Sequence, residues 1–131
     1  MESPTPASPV SKKALWIGRI MTALPVLMLL FSAVMKLINA PGVADGFTHL
    51  GWPTSLTFGL GLLEVSCAIL YAIPRTAVLG AILVTGYLGG AIATHVRIGE
   101  PFIMQAIFGV LVWGGLYLRD PRIRALIPLY R

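Results

Sequence analysis

Four apolar stretches, at about residues 14–38, 54–73, 76–96 and 102–118, follow one another with very few charged residues inside them. Each is close to the roughly 20 residues that an α-helix needs to cross the hydrocarbon of a bilayer. Backbone polar groups in lipid must be satisfied internally, so only helices and closed barrels span membranes. Continuous apolar runs, as opposed to strict alternation, select helices. The breaks between runs are short: Pro74-Arg75 separates the second from the third, and Arg97 to Glu100 the third from the fourth. Connections of this length force consecutive helices into antiparallel hairpins. The expected fold is all-α, an integral membrane four-helix bundle spanning residues 14–118.

Charge argues the same way. Only 11% of the residues are charged and the mean hydropathy is +0.83, against about a quarter charged in a soluble domain. So few charges cannot cover a water-facing surface of this size. The net charge of +5 does not indicate nucleic acid, because the basic residues sit at segment ends without a run of interleaved aromatics. They read as topology signals. Lys12, Lys13, Arg19, Arg75, Arg119, Arg122, Arg124 and Arg131 fall on one side, and Lys36 and Arg97 on the other. The positive-inside rule puts the rich side, with both termini, in the cytoplasm. A bacterial inner membrane is the expected location. The single cysteine, Cys67, excludes an intrachain disulfide and a CxxC redox pair.

The segments outside the spans are small. Residues 1–13 begin polar and proline-rich and are expected to form a disordered cytoplasmic tail. The first apolar run is too long for a signal peptide and is read as a retained helix, kinked at Pro25. In the first outer loop, Val43, Phe47 and Leu50 recur at helical spacing. This predicts a short interfacial helix with Asp45 and His49 on its wetter side. Residues 119–131 alternate basic and apolar residues. Arg119, Arg122 and Arg124 are candidates for lipid headgroup contact, with Ile123, Leu126, Ile127 and Tyr130 dipping into the interface.

Glu64 is the most informative residue. An ionisable group near mid-membrane costs about 2.5–3.5 kcal/mol on insertion scales and by default marks a function. Alone in hydrocarbon it would be protonated. It is either a proton-handling carboxyl or the centre of a structural hydrogen bond, for instance to Thr85 or Tyr87 at similar depth. Lys36, Thr94, His95, Arg97 and Gln105 gather at the outer helix ends. Lys36 either snorkels outward or reaches in toward Glu64. Together Lys36, Glu64, Thr85, Tyr87, His95, Arg97 and Gln105 form a candidate pocket opening outward. The competing reading is ordinary helix-end polarity. No metal site has recognisable spacing, and haem held by this chain alone would lack a second facing histidine.

Gly86, Gly90 and Thr94 recur every four residues on the third long helix, with Gly89 beside them. Such a face admits close helix approach. The expected partner is a helix of the same chain, and the alternative is a helix of another subunit. Walker, dinucleotide and Ser-His-Asp patterns are absent, and five acidic residues leave little for paired-carboxylate hydrolysis.

Several short motifs in order resemble the DoxX-like family. They are Leu50-Gly51-Trp52-Pro53 ahead of Gly61-Leu62-Leu63-Glu64; Pro74-Arg75; Gly86-Tyr87-Leu88-Gly89-Gly90-Ala91 with Thr94-His95; and Leu118-Arg119-Asp120-Pro121-Arg122. The resemblance covers about residues 15–127 and implies a four-helix membrane bundle. The DoxX and DoxD group takes its name from a membrane thiosulfate:quinone oxidoreductase subunit. By that analogy Lys36, Glu64 and His95 would line a quinone or small-molecule pocket. Three functions follow as expectations. The first is an accessory subunit of a larger membrane complex, such as a redox or energy-converting one, without independent catalytic activity, bound to other subunits or to its own copies. The second is a quinone-binding oxidoreductase module using Glu64 with Lys36 or His95, and the third is a small-molecule transporter.

Overall fold

A computed structural model of the chain describes residues 11–126. Six α-helices follow in order: α1 (Lys12–Leu37), α2 (Val43–Leu50), α3 (Thr57–Ala72), α4 (Ala77–Arg97), α5 (Ile103–Arg119) and α6 (Pro121–Leu126). Single 3-10 turns, Thr54–Leu56 and Pro74–Thr76, lead into α3 and α4. No strand occurs among the described residues. Residues 1–10 of the expected tail, and Ile127, Tyr130 and Arg131, lie outside those described.

Local chemistry sets the helix ends. α1 starts at Lys12, two residues before Ala14, because the Ser11 hydroxyl caps it by accepting from the Ala14 N–H at 3.1 Å. α1 then runs through Pro25, whose ring is among the most fully buried side chains. α2 is bracketed by Gly42 and Gly51 at φ of 90° and 83°, a conformation that glycine adopts without strain.

The four long helices pack in a ring, α1 against α3 and α5, and α4 against α3 and α5. α1, α3 with its leading turn, and α4 with its leading turn are long and apolar enough to cross a membrane. α5, at 17 residues, is shorter. It spans about 25 Å, against about 30 Å of hydrocarbon. The outward surface is greasy, with Trp16, Phe31 and Val110 at 60%, 69% and 68% exposed. Such a surface belongs in lipid.

In lipid, helices associate through close packing and not through expulsion of water, so small residues at the contacts matter. They lie elsewhere than expected. A Cβ on Gly80 would stand 2.2 Å from the Tyr71 nitrogen, and one on Gly18 would stand 3.0 Å from the Gly115 carbonyl. Gly115 in turn lies against Thr22, and Gly61 against Lys36 and Leu37. Gly86, Gly89 and Gly90 have nothing within 4 Å of a built Cβ. The expected close approach of another helix of the chain to that face therefore does not occur among the described residues.

The packed core fills the half of the bundle that holds the helix ends nearest the termini. It is built from Cys67, Ala68 and Tyr71 of α3, Ala77, Ala81 and Val84 of α4, Val112 and Leu116 of α5, and Leu29 of α1. The Tyr71 hydroxyl donates to the Val112 carbonyl at 2.6 Å and so satisfies its only donor inside the core.

The expected amphipathic tail contains α6, whose Ile123 joins the core. Asp120 caps it, accepting from the Arg122 N–H at 2.9 Å and pairing with the Arg122 guanidinium at 3.2 Å. Partial burial pushes the Asp120 carboxyl up, but the bonds and charge of Arg122 outweigh this and hold it below its ordinary value. A lowered folded value means that the cap stabilises α6 fully above the ordinary carboxylate range, about pH 4. That contribution is lost as pH falls through the folded value. Hydrogen-exchange protection of residues 121–126, corrected for intrinsic rates, is expected to drop on acidification. In Asp120→Asn, which still caps, it should stay flat. An equal pH response in both would place the effect elsewhere.

Candidate functional site

The other half of the bundle, toward α2, is hollow. A cavity of about 860 Å³ lies among α1, α3, α4 and α5. Its volume comes from what α4 lacks, since Gly86, Gly90 and Ala91 line it and put almost no side chain into it. The expected outward opening is instead partly roofed by α2 and the loop after it, through buried Phe47, half-buried Leu50 and the exposed Trp52. The most exposed lining side chains are Leu27 and Phe31 of α1 and Met104 of α5; Met28 of α1, and Trp52 and Leu56 at the edge of the roof, are less so. The mouth is therefore apolar and faces the side of the bundle.

The roof is fastened at several points. Arg97 donates to the Leu50 carbonyl, and His49 of α2 pairs with Glu100 after α4. The Trp52 indole N–H donates to the Thr94 hydroxyl at 3.3 Å, and Thr94 donates to the Gly90 carbonyl at 2.8 Å. Asp45 and His49 are exposed, as the amphipathic pattern of this loop predicts.

One polar cluster interrupts the apolar walls. Glu64 is 2% exposed. It is not alone in the bundle interior: Lys36, on the last turn of α1, reaches inward to it with its ammonium 3.0 Å from Oε2 and 3.4 Å from Oε1. The Lys36 ammonium also donates to the Ser32 hydroxyl at 2.6 Å, and the Tyr87 hydroxyl donates to Glu64 Oε2. A lone carboxylate here would be very costly. A hydrogen-bonded pair offsets much of that cost because Coulomb attraction is strong where the dielectric is low. Three helices, α1, α3 and α4, are thereby tied at one depth.

Of the seven candidate pocket residues, Lys36, Glu64, Tyr87, His95 and Gln105 line the cavity. Arg97 holds the roof instead. Thr85 lies outside the cavity lining, accepting from the Trp113 indole at 2.7 Å and donating to the Ala81 carbonyl at 2.7 Å. Sequence reasoning missed Ser32, four residues before Lys36 and so on the same helix face. That i, i+4 spacing was the available signal.

Unused hydrogen-bonding capacity remains at the cavity. The Ala91 carbonyl can only accept, so the His95 Nδ1 atom 2.7 Å away carries a proton. In the neutral ring Nε2 is then a free acceptor. The Gln105 Oε1 atom is buried with no partner among the described residues. Lys36, with three N–H groups, spends two on Ser32 and Glu64 Oε2, and the third makes only the long 3.4 Å contact to Glu64 Oε1, which a ligand acceptor could replace. The site thus offers one donor and two acceptors on an otherwise apolar wall. No group of three His, Cys, Asp or Glu side chains stands together as metal ligands among the described residues.

No curated protein and no solved structure matches the chain. The sequence model of the DoxX-like family does match, over residues 20–115. That stretch takes in α2, α3, α4 and the greater part of α1 and α5, with every polar residue of the cavity. A match over most of the chain makes this helical membrane protein a member of the DoxX-like family.

Proposed function

We propose that this protein is a membrane-embedded binding protein for a lipophilic molecule with a small polar head, and that quinones are the ligand class. The carrying observation is the cavity itself, with apolar walls, a side mouth bordered by Leu27, Phe31 and Met104, and one polar cluster at Lys36, Glu64 and Tyr87. Binding sites of this kind are mostly apolar with a few placed polar groups. A quinone carbonyl would accept from Lys36, and a quinol hydroxyl would donate to His95 Nε2 or Gln105 Oε1. The ring and isoprenoid tail would lie along the apolar wall and leave through the side mouth into lipid. This reading rests on four spans with both termini in the cytoplasm of a bacterial inner membrane.

Trp52 lines the cavity and reports its occupancy. Purified protein in nanodiscs titrated with a short-tailed ubiquinone analogue should show saturable fluorescence quenching, which Trp52→Phe diminishes. His95→Leu or Gln105→Leu should weaken binding about tenfold, since each removes one hydrogen bond of about 1.4 kcal/mol. Quenching that rises linearly with quinone and is equal in all variants would sink the reading.

The accessory-subunit reading has one supporting observation. The open Gly86, Gly89 and Gly90 surface would accept a helix of another chain or of a second copy. Gentle extraction separates the two, because a stoichiometric partner lost in Gly89→Leu supports assembly. Gly89, unlike Gly86 and Gly90, is outside the cavity lining.

A further inference from the structure

At the opposite end of the bundle the three arginines read as headgroup contacts prove unlike one another. Arg122 is paired with Asp120. Arg124 donates to the Tyr117 carbonyl at 3.3 Å and the Leu118 carbonyl at 3.0 Å, closing the end of α5. Arg119 has neither kind of partner. Its Nε and Nη2 atoms are buried and bond to nothing among the described residues.

Arg119 stands in a second, smaller cleft of about 240 Å³, lined by Arg19, Thr22, Ala23 and Val26 of α1, Ala72 of α3 and Arg119 of α5. Two cations thus share one cleft, and neither lies within 4.0 Å of a carboxylate among the described residues. Aromatic rings hold both guanidinium groups: Arg119 lies 5.5 Å from the Tyr71 ring centre and Arg19 lies 5.3 Å from that of Trp16. Stacking occupies the flat face of a guanidinium, and the N–H groups that remain accessible at its edge match the oxygens of a phosphate or carboxylate. Two cations sharing a cleft with no such carboxylate repel each other, so an anion lying between them stabilises the arrangement.

We infer that this cleft binds a phosphate group, held between Arg19 and Arg119. Apart from Thr22, whose hydroxyl donates to the Gly18 carbonyl at 2.8 Å, the remaining walls, Ala23, Val26 and Ala72, are apolar. They continue the cleft along α1 and α3 in the direction an acyl chain would take. Arg119 is the last residue of α5, and Arg19 lies about 10 Å along α1 from Lys12. Both therefore stand toward one end of the bundle, where the phosphates of a surrounding bilayer would lie. An anionic phospholipid headgroup and a soluble phosphate share the chemistry, and the experiment distinguishes them.

Full-length protein in neutral detergent is titrated with phosphatidylglycerol, phosphatidylcholine or inorganic phosphate, and bound lipid is counted by native mass spectrometry alongside thermal unfolding. Phosphatidylglycerol is expected to bind with one preferred copy and to raise the unfolding temperature, with phosphatidylcholine weaker. An equal effect from inorganic phosphate would assign the site to a soluble anion. Arg19→Gln, at an exposed position and so safe for the fold, should weaken binding about tenfold. Arg119→Lys, which keeps the charge but loses the fork, should weaken it as well. Arg122→Gln, at the same end but already paired with Asp120, should bind as the wild type does. Equal binding in all four proteins, or no response to any phosphate, overturns the site.

Discussion

Lys36→Met is expected to destabilise the protein by about 3–5 kcal/mol, the usual penalty for breaking a buried ion pair. The substitution keeps most of the side-chain volume, so the loss is not one of packing. It comes from Glu64, 2% exposed, which would keep only the Tyr87 hydroxyl as a partner in place of an ammonium 3.0 Å away. Reversible unfolding in mixed micelles measures it. The double variant Lys36→Met, Glu64→Leu should recover much of the loss, since it removes the orphaned acid. It should not recover all, because Tyr87 then lacks its acceptor. Adding Tyr87→Phe should recover more. A single-variant loss below about 1 kcal/mol, the worth of an ordinary neutral hydrogen bond, would mean that Lys36 contributes no more than its bond to Ser32. The same series bears on the proposed ligand site, because a pair kept only for stability could be replaced by apolar residues without loss of quinone binding.

The broad outline was legible in the sequence because it depends on periodicity and length alone. Helical spans need continuous apolar runs, and hairpins follow from breaks as short as Pro74-Arg75. The short helix α2 was legible because Val43, Phe47 and Leu50 fix one face and Asp45 and His49 the other. The partners of Glu64 were legible only as options. Lys36 can point outward or inward from the last turn of α1, and spacing along one helix says nothing about how two helices are rotated against each other. The glycines were the least legible. A GxxxG face permits close approach but does not require it. Whether it holds a neighbouring helix or an empty volume depends on the large residues opposite. Tyr71 backs onto Gly80, whereas Gly86 and Gly90 have no such neighbour. Arg119 was likewise one of three similar tail arginines until Asp120 and the carbonyls of Tyr117 and Leu118 were seen to satisfy the other two.

Two glycines of α4 should therefore respond in opposite ways to one substitution. Gly80→Leu puts a Cβ 2.2 Å from the Tyr71 nitrogen and 2.5 Å from its Cα. Those are backbone atoms, which cannot rotate aside, so α3 and α4 must separate. Their separation would strain the core around Tyr71, Ala77 and Ala81. The expected loss is about 3 kcal/mol, the upper end of overpacking penalties, seen as a lower unfolding midpoint or failure to accumulate in the membrane. Gly80→Ala, with the Cβ alone, should already show much of it. A Cβ at Gly90 meets nothing within 4 Å. Leucine favours a helix over glycine by about 0.5–1 kcal/mol, so the fold should hold or strengthen. Its side chain would occupy the space that α4 otherwise leaves empty and should weaken quinone quenching of Trp52 by about tenfold or more, roughly 1.4 kcal/mol. A Gly90→Leu protein that folds and binds as before would show that the hollow half of the bundle is not where the ligand sits. Equal damage from both substitutions would show that Gly90 is a packing residue after all. Only a stable bundle with an impaired site fits a cavity that glycines keep open.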